Sequence, residues 1–535
     1  MPGFSVIVII IQYIFYKKKS KYMYLNNINC FSIFQQNNRR DRVKRIPTQS
    51  ISRLSKFFID FACPKYCIKT IQGNHTCHIL KKRNDTMKMI HAAAVIIVCA
   101  FTAGGPVHAQ GDGWYTEGDF VPVKRMKVTL VNQLTIDRPD CPVLIHRTQM
   151  PYQNIPQRYI TVVDPSLPPN PEPSKEALEK YSGYLIRKEE FGHFLEYQMD
   201  DIDGDGIWDE LFFMIDMAAR ETKTIYLYIG EAERGLYTHK THAGIGYYGR
   251  HMVPFWEAEY VGWKLWFPMS VDLHGKREPM LTAYPEYKDN LSGYYMPYEY
   301  GTDIMTVSST FGSGGIGLCE VPANPDSVSR PEYNFRTGEG PFTSTRYAFD
   351  VVVNGPLRSM IRAKTMNWRT GSGSYELEQL YTAYAHKSYS TCAVTFKEFL
   401  PVESSTRFVC GIREIMEQYD TYQKGGTVIS FGKDLEIRTP DEEIDDEATT
   451  VKFEGIALVV KDEYNPEYKN IKSLGGNHIF AIPVTRDHSF EYMILGAWSQ
   501  GAVNTTAEEF GDYVITEAQK YNYPLRASVG PIEEK

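Results

Sequence analysis

The sequence predicts an all-β protein: an N-terminal β-sandwich followed by a larger β-sandwich with few helices. Three observations predict it. Aromatic residues make up 13% of the 535-residue chain, 37 of them Tyr, and such side chains suit pleated, half-buried surfaces. Alternation of polar and apolar residues with a period of two dominates the mature region. Asn354-Gly355, a strong hairpin-turn pair, separates two strand-like runs. At 43% apolar, the chain is too apolar for disorder and too long for one small core, so two or more packed units are expected.

Residues 1–86 carry 16 Lys and Arg against Asp41, Asp60 and Asp85, with no sustained periodicity. They read as an upstream extension translated from before the true initiator, Met87 or Met89. Cys63, Cys67, Cys77 and His78 lack the paired spacing of a zinc site. Residues 87–109 read as a secretory signal: Lys88, an apolar run over 90–101, and Val107-His108-Ala109 before the cut. Cleavage after Ala109 would make the protein secreted or periplasmic, with no transmembrane anchor in the mature chain. Val98 before Cys99 is wrong for lipidation. The remaining 110–535 hold 41 Lys and Arg against 62 Asp and Glu, a net of −21. So acidic a body repels phosphate backbones, which excludes nucleic-acid binding.

In the mature chain, strand-like runs at 127–130, 194–199, 211–217 and 224–229 assemble a first sandwich over 110–240. Five prolines within 164–173 make a solvated strap before a short helix near 174–181. The second sandwich, 241–535, takes runs at 346–353, 357–365, 375–385, 391–399, 406–413, 453–461, 478–483 and 492–498. The acidic run 441–447 is a solvated loop. Thr506 to Glu509 form a capping box, and Phe510, Tyr513, Val514, Glu517, Ala518 and Tyr521 share a helical face that packs on a sheet. Cys141, Cys319, Cys392 and Cys410 are too scattered for a disulfide framework.

Three motifs carry possible chemistry. Asp201, Asp203, Asp205, the Ile207 carbonyl and Asp209 match the first nine places of a calcium loop. Phe212 replaces the twelfth-position Glu and a strand follows, so this is no EF-hand; it is a structural Ca²⁺ loop or an Asp/Gly turn without metal. Gly312, Gly314 and Gly317 satisfy a dinucleotide pattern, but no helix can follow, which leaves a glycine loop at a sheet edge. The densest chemistry lies in 251–303: His251, Trp256, Glu257, Glu259, Trp263, Lys264, Trp266, Asp272, His274, Lys276, Tyr298 and Asp303. Glu257 and Glu259 would share one strand face, as would Asp272, His274 and Lys276. The Trp residues are either sugar-stacking platforms or core.

Residues 201–213 (DIDGDGIWDELFF), 256–266 (WEAEYVGWKLW), 272–276 (DLHGK) and 301–317 together resemble the bacterial secreted family known as domain of unknown function 4861. The resemblance covers nearly all of 115–525. It implies a carbohydrate-processing protein, one branch being an oligosaccharide dehydratase acting on uronic-acid ends of ulvan fragments. It also implies a galactose-mutarotase-like large sandwich and implicates Glu257, Glu259, Asp272, Lys276 and Asp303. Lys264 stands where the family pattern has Arg, and Tyr300 where it has Trp.

Removing water across C4–C5 of a uronate needs a base, an acid for the departing hydroxyl, and a cation on the carboxylate. Chemistry assigns His251 or His274 as base, Tyr298 as acid, and Lys276 or Lys264 as carboxylate partner, with Glu257, Asp272 and Asp303 orienting these groups or holding hydroxyls. Trp256, Glu259, Lys264, Trp266 and Asp303 would bind substrate, an acidic oligosaccharide, and no cofactor is required. Two alternatives stand beside elimination. One is a glycoside hydrolase with Glu257 or Glu259 paired to Asp272 or Asp303; the other is a non-catalytic glycan-binding protein. The oligomeric state is left open.

Overall fold

The computed structural model describes residues 113–535 apart from 116–120, 157–158, 169–193, 231–236, 249–250, 267–269, 284–299, 322–323, 325, 332–344, 372, 416, 434–450 and 485–486. The upstream extension, the signal segment, the helix expected near 174–181 and the acidic run 441–447 therefore lie outside the described residues.

The first sandwich pairs two antiparallel sheets. Arg526–Glu534, Lys124–Val131, Thr222–Ile229 and Ile160–Val163 form one, in that order; Arg138–His146, Glu210–Met217 and Tyr197–Asp200 form the other. Alternation along Lys124–Val131 sends Met126, Val128 and Leu130 inward to meet Val143, Ile145, Leu211 and Phe213. The strand at 526–534 is the last of the chain. The sequence reading placed it with the large unit, but its backbone pairs with Lys124–Val131 instead.

The second sandwich is built on an eight-stranded antiparallel sheet. Its order is Arg346–Asn354, Arg358–Thr370, Gly373–Tyr384, Tyr389–Pro401, Ser489–Trp498, Glu454–Val460, Thr427–Lys433 and Glu417–Lys424. One face, carrying Leu377, Tyr381, Val394, Ile456 and Ile494, packs against two five-stranded sheets. The opposite face, carrying Ile429, Ala457, Met493 and Leu495, is covered by the helix Ala507–Asn522 through Phe510, Val514 and Ala518. Glu454–Val460 is buried along its whole length, so it reads as a continuous apolar run rather than an alternation. Thr506 caps the helix by accepting from the Glu509 amide at 3.2 Å, but Glu509 reaches back to the Thr505 amide and not to that of Thr506. All four cysteines of the described region are buried and free.

The two five-stranded sheets are Gly301–Asp303, Ser270–Lys276, Val261–Trp266, His251–Ala258, Thr241–Tyr248, and Val328–Ser329, Gly315–Cys319, Arg407–Arg413, Asn477–Pro483, Glu467–Ile471. The glycine loop joins them. Val271 bridges to Gly312, and Ser313 donates its amide to the Val271 carbonyl at 2.7 Å. Gly312 has φ +62°, and a Cβ there would lie 2.0 Å from the Val271 carbonyl oxygen. Gly312→Ala is therefore expected to destabilise by about 3 kcal/mol in denaturant unfolding. An unchanged midpoint would show that this joint is not rigid.

The sandwiches are tied by Arg358, which donates to Asp200 at 2.6 Å and Glu210 at 2.7 Å while its guanidinium lies over the Phe212 ring. His108–Lys535 form one compact unit holding both. Among the described residues, no helix is long and apolar enough to cross a membrane.

Candidate functional site

The five-stranded sheet of residues 241–303 has two buried faces of opposite character. Register places Trp256 opposite Trp263, and Glu257 opposite Gly262. On the neighbouring pair, Lys264 faces Asp272 and Gly262 faces His274. His274 then faces Asp303, and Lys276 faces Gly301. Period-two alternation therefore gathers Glu257, Lys264, Asp272, His274, Lys276 and Asp303 on one face, while Trp256, Trp263, Leu265, Val271 and Leu273 point into the core.

The polar face is continuous. A Cβ on Gly262 would lie 3.4 Å from the Glu257 Cβ, 3.5 Å from the His274 Cβ and 3.8 Å from the Lys276 Cε, so these three side chains converge over a residue that has none. At Gly301 the constraint is tighter: a Cβ there would lie 2.4 Å from the Gly275 carbonyl oxygen and 3.1 Å from His274 Nε2. At one end of the row, Lys264 Nζ lies 3.2 Å from Asp272 Oδ2, and both are buried. Asp303 accepts from the Met305 amide at 3.2 Å.

At the other end, Lys276 is 0% exposed and Glu257 2%. Lys276 donates to the Glu257 carboxylate, to the Ala258 carbonyl at 2.6 Å and to the Met280 carbonyl at 2.8 Å. Those are all the protons an ammonium has. Glu257 accepts in addition from the amides of Thr282 at 2.9 Å and Ala283 at 3.0 Å, with His242 Nδ1 at 3.4 Å. Burial alone would raise the Glu257 pKa, but Lys276, His242 and the Thr282 amide together bring it down to about 2.

This geometry corrects several expectations. Lys276 has no proton left for a substrate carboxylate, so its role is to close the sheet onto residues 280–283. Glu257, fixed as an anion, cannot be the general acid of a hydrolase. Trp256 forms no sugar platform: it is 0% exposed, stacks on Trp263 and Tyr381, and donates to Ser390 Oγ at 2.8 Å. Glu259 does not share a strand face with Glu257, because the strand ends at Ala258 and the chain bends. Its carboxylate instead accepts the His386 amide at 2.7 Å and lies 3.3 Å from His386 Nδ1. Asp272, His274 and Lys276 do share a face, and all three are buried. The side chains of His251 and Trp266, and the whole of Tyr298, lie outside the described residues.

Sequence reasoning missed His242, Gly262, Gly301, Thr282 and Ala283. Only His242 left a readable trace, because the antiparallel pairing of Thr241–Tyr248 with His251–Ala258 sets it opposite Glu257.

The acidic loop sits at the seam of the sandwiches. Asp201, Asp203 and Asp209 each bring a carboxylate oxygen within 4.8 Å of the others. Asp205 stands apart from that group, its carboxylate accepting the Ile207 amide at 2.7 Å. Gly204 and Gly206 take φ +80° and +86°, which curls the backbone inside. Buried Trp208 anchors one side through Ile155, and Arg362 donates to the Ile202 carbonyl at 2.7 Å from the other. Phe212 is buried in the strand that follows, as its apolar character requires.

A family profile described as "Domain of unknown function (DUF4861)" matches residues 130–527. The chain belongs to that family. The DUF4861 match takes in most of both sandwiches, the acidic loop and the polar row. No curated protein sequence matches the chain. Among solved structures, the chain is similar to an α-mannosidase from Enterococcus faecalis V583, with 10% identity, a TM-score of 0.39, and 77% of this chain and 46% of that one covered. It is likewise similar to a protein in glycosyl hydrolase family 38 from Enterococcus faecalis, at 10% identity, TM-score 0.39, and coverage of 77% and 48%. The chain spans less than half the length of either.

Proposed function

We propose that this DUF4861 protein is a secreted carbohydrate-active enzyme that removes water from uronic-acid-containing oligosaccharides. One observation carries the reading: six ionisable side chains share one buried sheet face where apolar residues would cost less. Buried charge retained in a sheet otherwise packed with Trp, Leu and Val points to chemistry.

The Glu257–Lys276 end is closed by Thr282 and Ala283, so the reacting sugar engages the Lys264–His274 end. Lys264, held by Asp272, neutralises the uronate carboxylate as charge builds during removal of the C5 proton. His274 takes that proton, the C5–H electron pair becomes the C4–C5 double bond, and the C4 hydroxyl leaves as water after protonation by Tyr298. Asp303 holds substrate hydroxyls. Incubation with a panel of acidic oligosaccharides, followed by mass spectrometry, tests this. Loss of one water without chain cleavage is expected; cleavage with gain of water, or no change, rejects elimination.

We also propose that Asp201, Asp203 and Asp209 hold a structural Ca²⁺, which three hard oxygens on a curled loop suit. Calcium at one hundred times its dissociation constant would add about 2.7 kcal/mol of stability. A melting curve unaltered by calcium or chelator would leave the loop as a metal-free turn.

A further inference from the structure

The two sandwiches meet around a cleft of about 350 Å³ that the polar row does not use. Leu167, Pro168 and Leu357 give it an apolar wall; Asp140, Glu196, Lys240 and His386 give it polar edges. It draws on both sandwiches, the usual place for a ligand pocket.

His386 is the best-prepared group in it. It occupies the turn between Gly373–Tyr384 and Tyr389–Pro401 with φ +60°, a left-handed conformation that His, Asn and Asp adopt more readily than most residues. Glu259 holds it there with both carboxylate oxygens, one on the backbone amide and one on Nδ1. That leaves Nε2 directed away from its anchor, with no hydrogen-bond partner among the described residues. A carboxylate on one imidazole nitrogen fixes the ring so that the other can serve a ligand. Asp140, on the facing sandwich, is likewise left-handed at φ +46°, its amide held by Asp216 at 2.8 Å.

The charges identify the class of ligand. Lys240 Nζ lies 3.4 Å from Glu196, and His386 is matched by Glu259, so each cation already has an anion. Asp140 adds a further carboxylate, and the cleft therefore has no surplus of positive charge with which to hold an acid. What it offers is donors from Lys240 and His386, acceptors from Glu196 and Asp140, and an apolar wall beside them. A neutral pyranose, with C–H groups on its face and hydroxyls around its edge, matches that set.

We infer that the inter-sandwich cleft binds one neutral sugar ring, with His386 Nε2 and Lys240 on its hydroxyls and Glu259 as the residue that positions His386. This site is distinct from the polar row and does not depend on elimination taking place there.

Saturation-transfer NMR on the whole protein tests it, with the methyl glycosides of glucose, galactose, mannose and xylose as probes and methyl glucuronoside as the acidic comparison. At least one neutral glycoside is expected to bind saturably, and more tightly than the glucuronoside. His386→Asn, which keeps a residue tolerant of positive φ, should weaken that binding about tenfold. Lys240→Met supplies a second variant should His386→Asn lower the melting temperature. Failure of every neutral glycoside to bind, tighter binding of the glucuronoside, or affinity unchanged in both variants would overturn the proposal.

Discussion

Lys276→Met is expected to lower the free energy of unfolding by about 3–5 kcal/mol, because it strands a buried carboxylate whose cation has gone. Glu257 would still receive the Thr282 and Ala283 amides, but the ammonium that also pins the Ala258 and Met280 carbonyls would be absent. The double variant Glu257→Gln with Lys276→Met should recover a large part of the loss, since it removes the unpaired charge as well. The pH dependence gives an independent check. In the folded protein Glu257 ionises near 2, against an ordinary value of 4.5. A carboxyl whose folded pKa is depressed contributes stability that is fully present above 4.5 and is lost as pH falls toward 2. Without Lys276 that depression disappears, so acidification should cost the variant less than it costs the parent. Denaturant unfolding at neutral pH and at about pH 3 reads both effects. A variant less than about 1 kcal/mol weaker than the parent at neutral pH would mean that Glu257 relaxes into water and the pair is not a closure.

Most of the strands were legible because half-buried strands write their period into the sequence. The runs at 211–217, 346–353 and 391–399 all fall within observed strands. The final strand was not legible: its partner, Lys124–Val131, is about 400 residues away, and a pairing of that separation leaves no local trace. The polar row was half legible. Parity alone places Asp272, His274 and Lys276 together, and the structure keeps them together. Parity cannot say whether a face meets water, and this sheet is buried on both sides, so burial of the row and the core position of Trp256 escaped it. Glu259 was misplaced for a smaller reason: a strand that stops one residue early breaks the alternation. His386 was invisible because its importance comes from Glu259, which lies 127 residues away in the chain.

His274→Gln is expected to reduce turnover of a uronate-ended oligosaccharide by about 10²–10⁴-fold, the usual worth of a positioned base. His274 is the one imidazole whose described side chain lies in the row, between the Lys264–Asp272 pair and the closed Glu257–Lys276 pair, packed against Gly262 and Gly301. Loss of activity alone would not separate a base from a packing residue. Exchange of the C5 proton with heavy water does: a base removed from the site abolishes exchange as well as product, whereas a loosened site weakens substrate binding and stability together. Lys264→Met gives the complementary test. If Lys264 neutralises the uronate, the parent enzyme should discriminate strongly against the methyl ester of the same substrate, and the variant should treat acid and ester alike. Retention of more than about a tenth of the parent turnover in His274→Gln would remove His274 from the proton path. A Lys264→Met protein that still prefers the acid would show that the carboxylate is held elsewhere, and the elimination would then have to be sought away from this sheet.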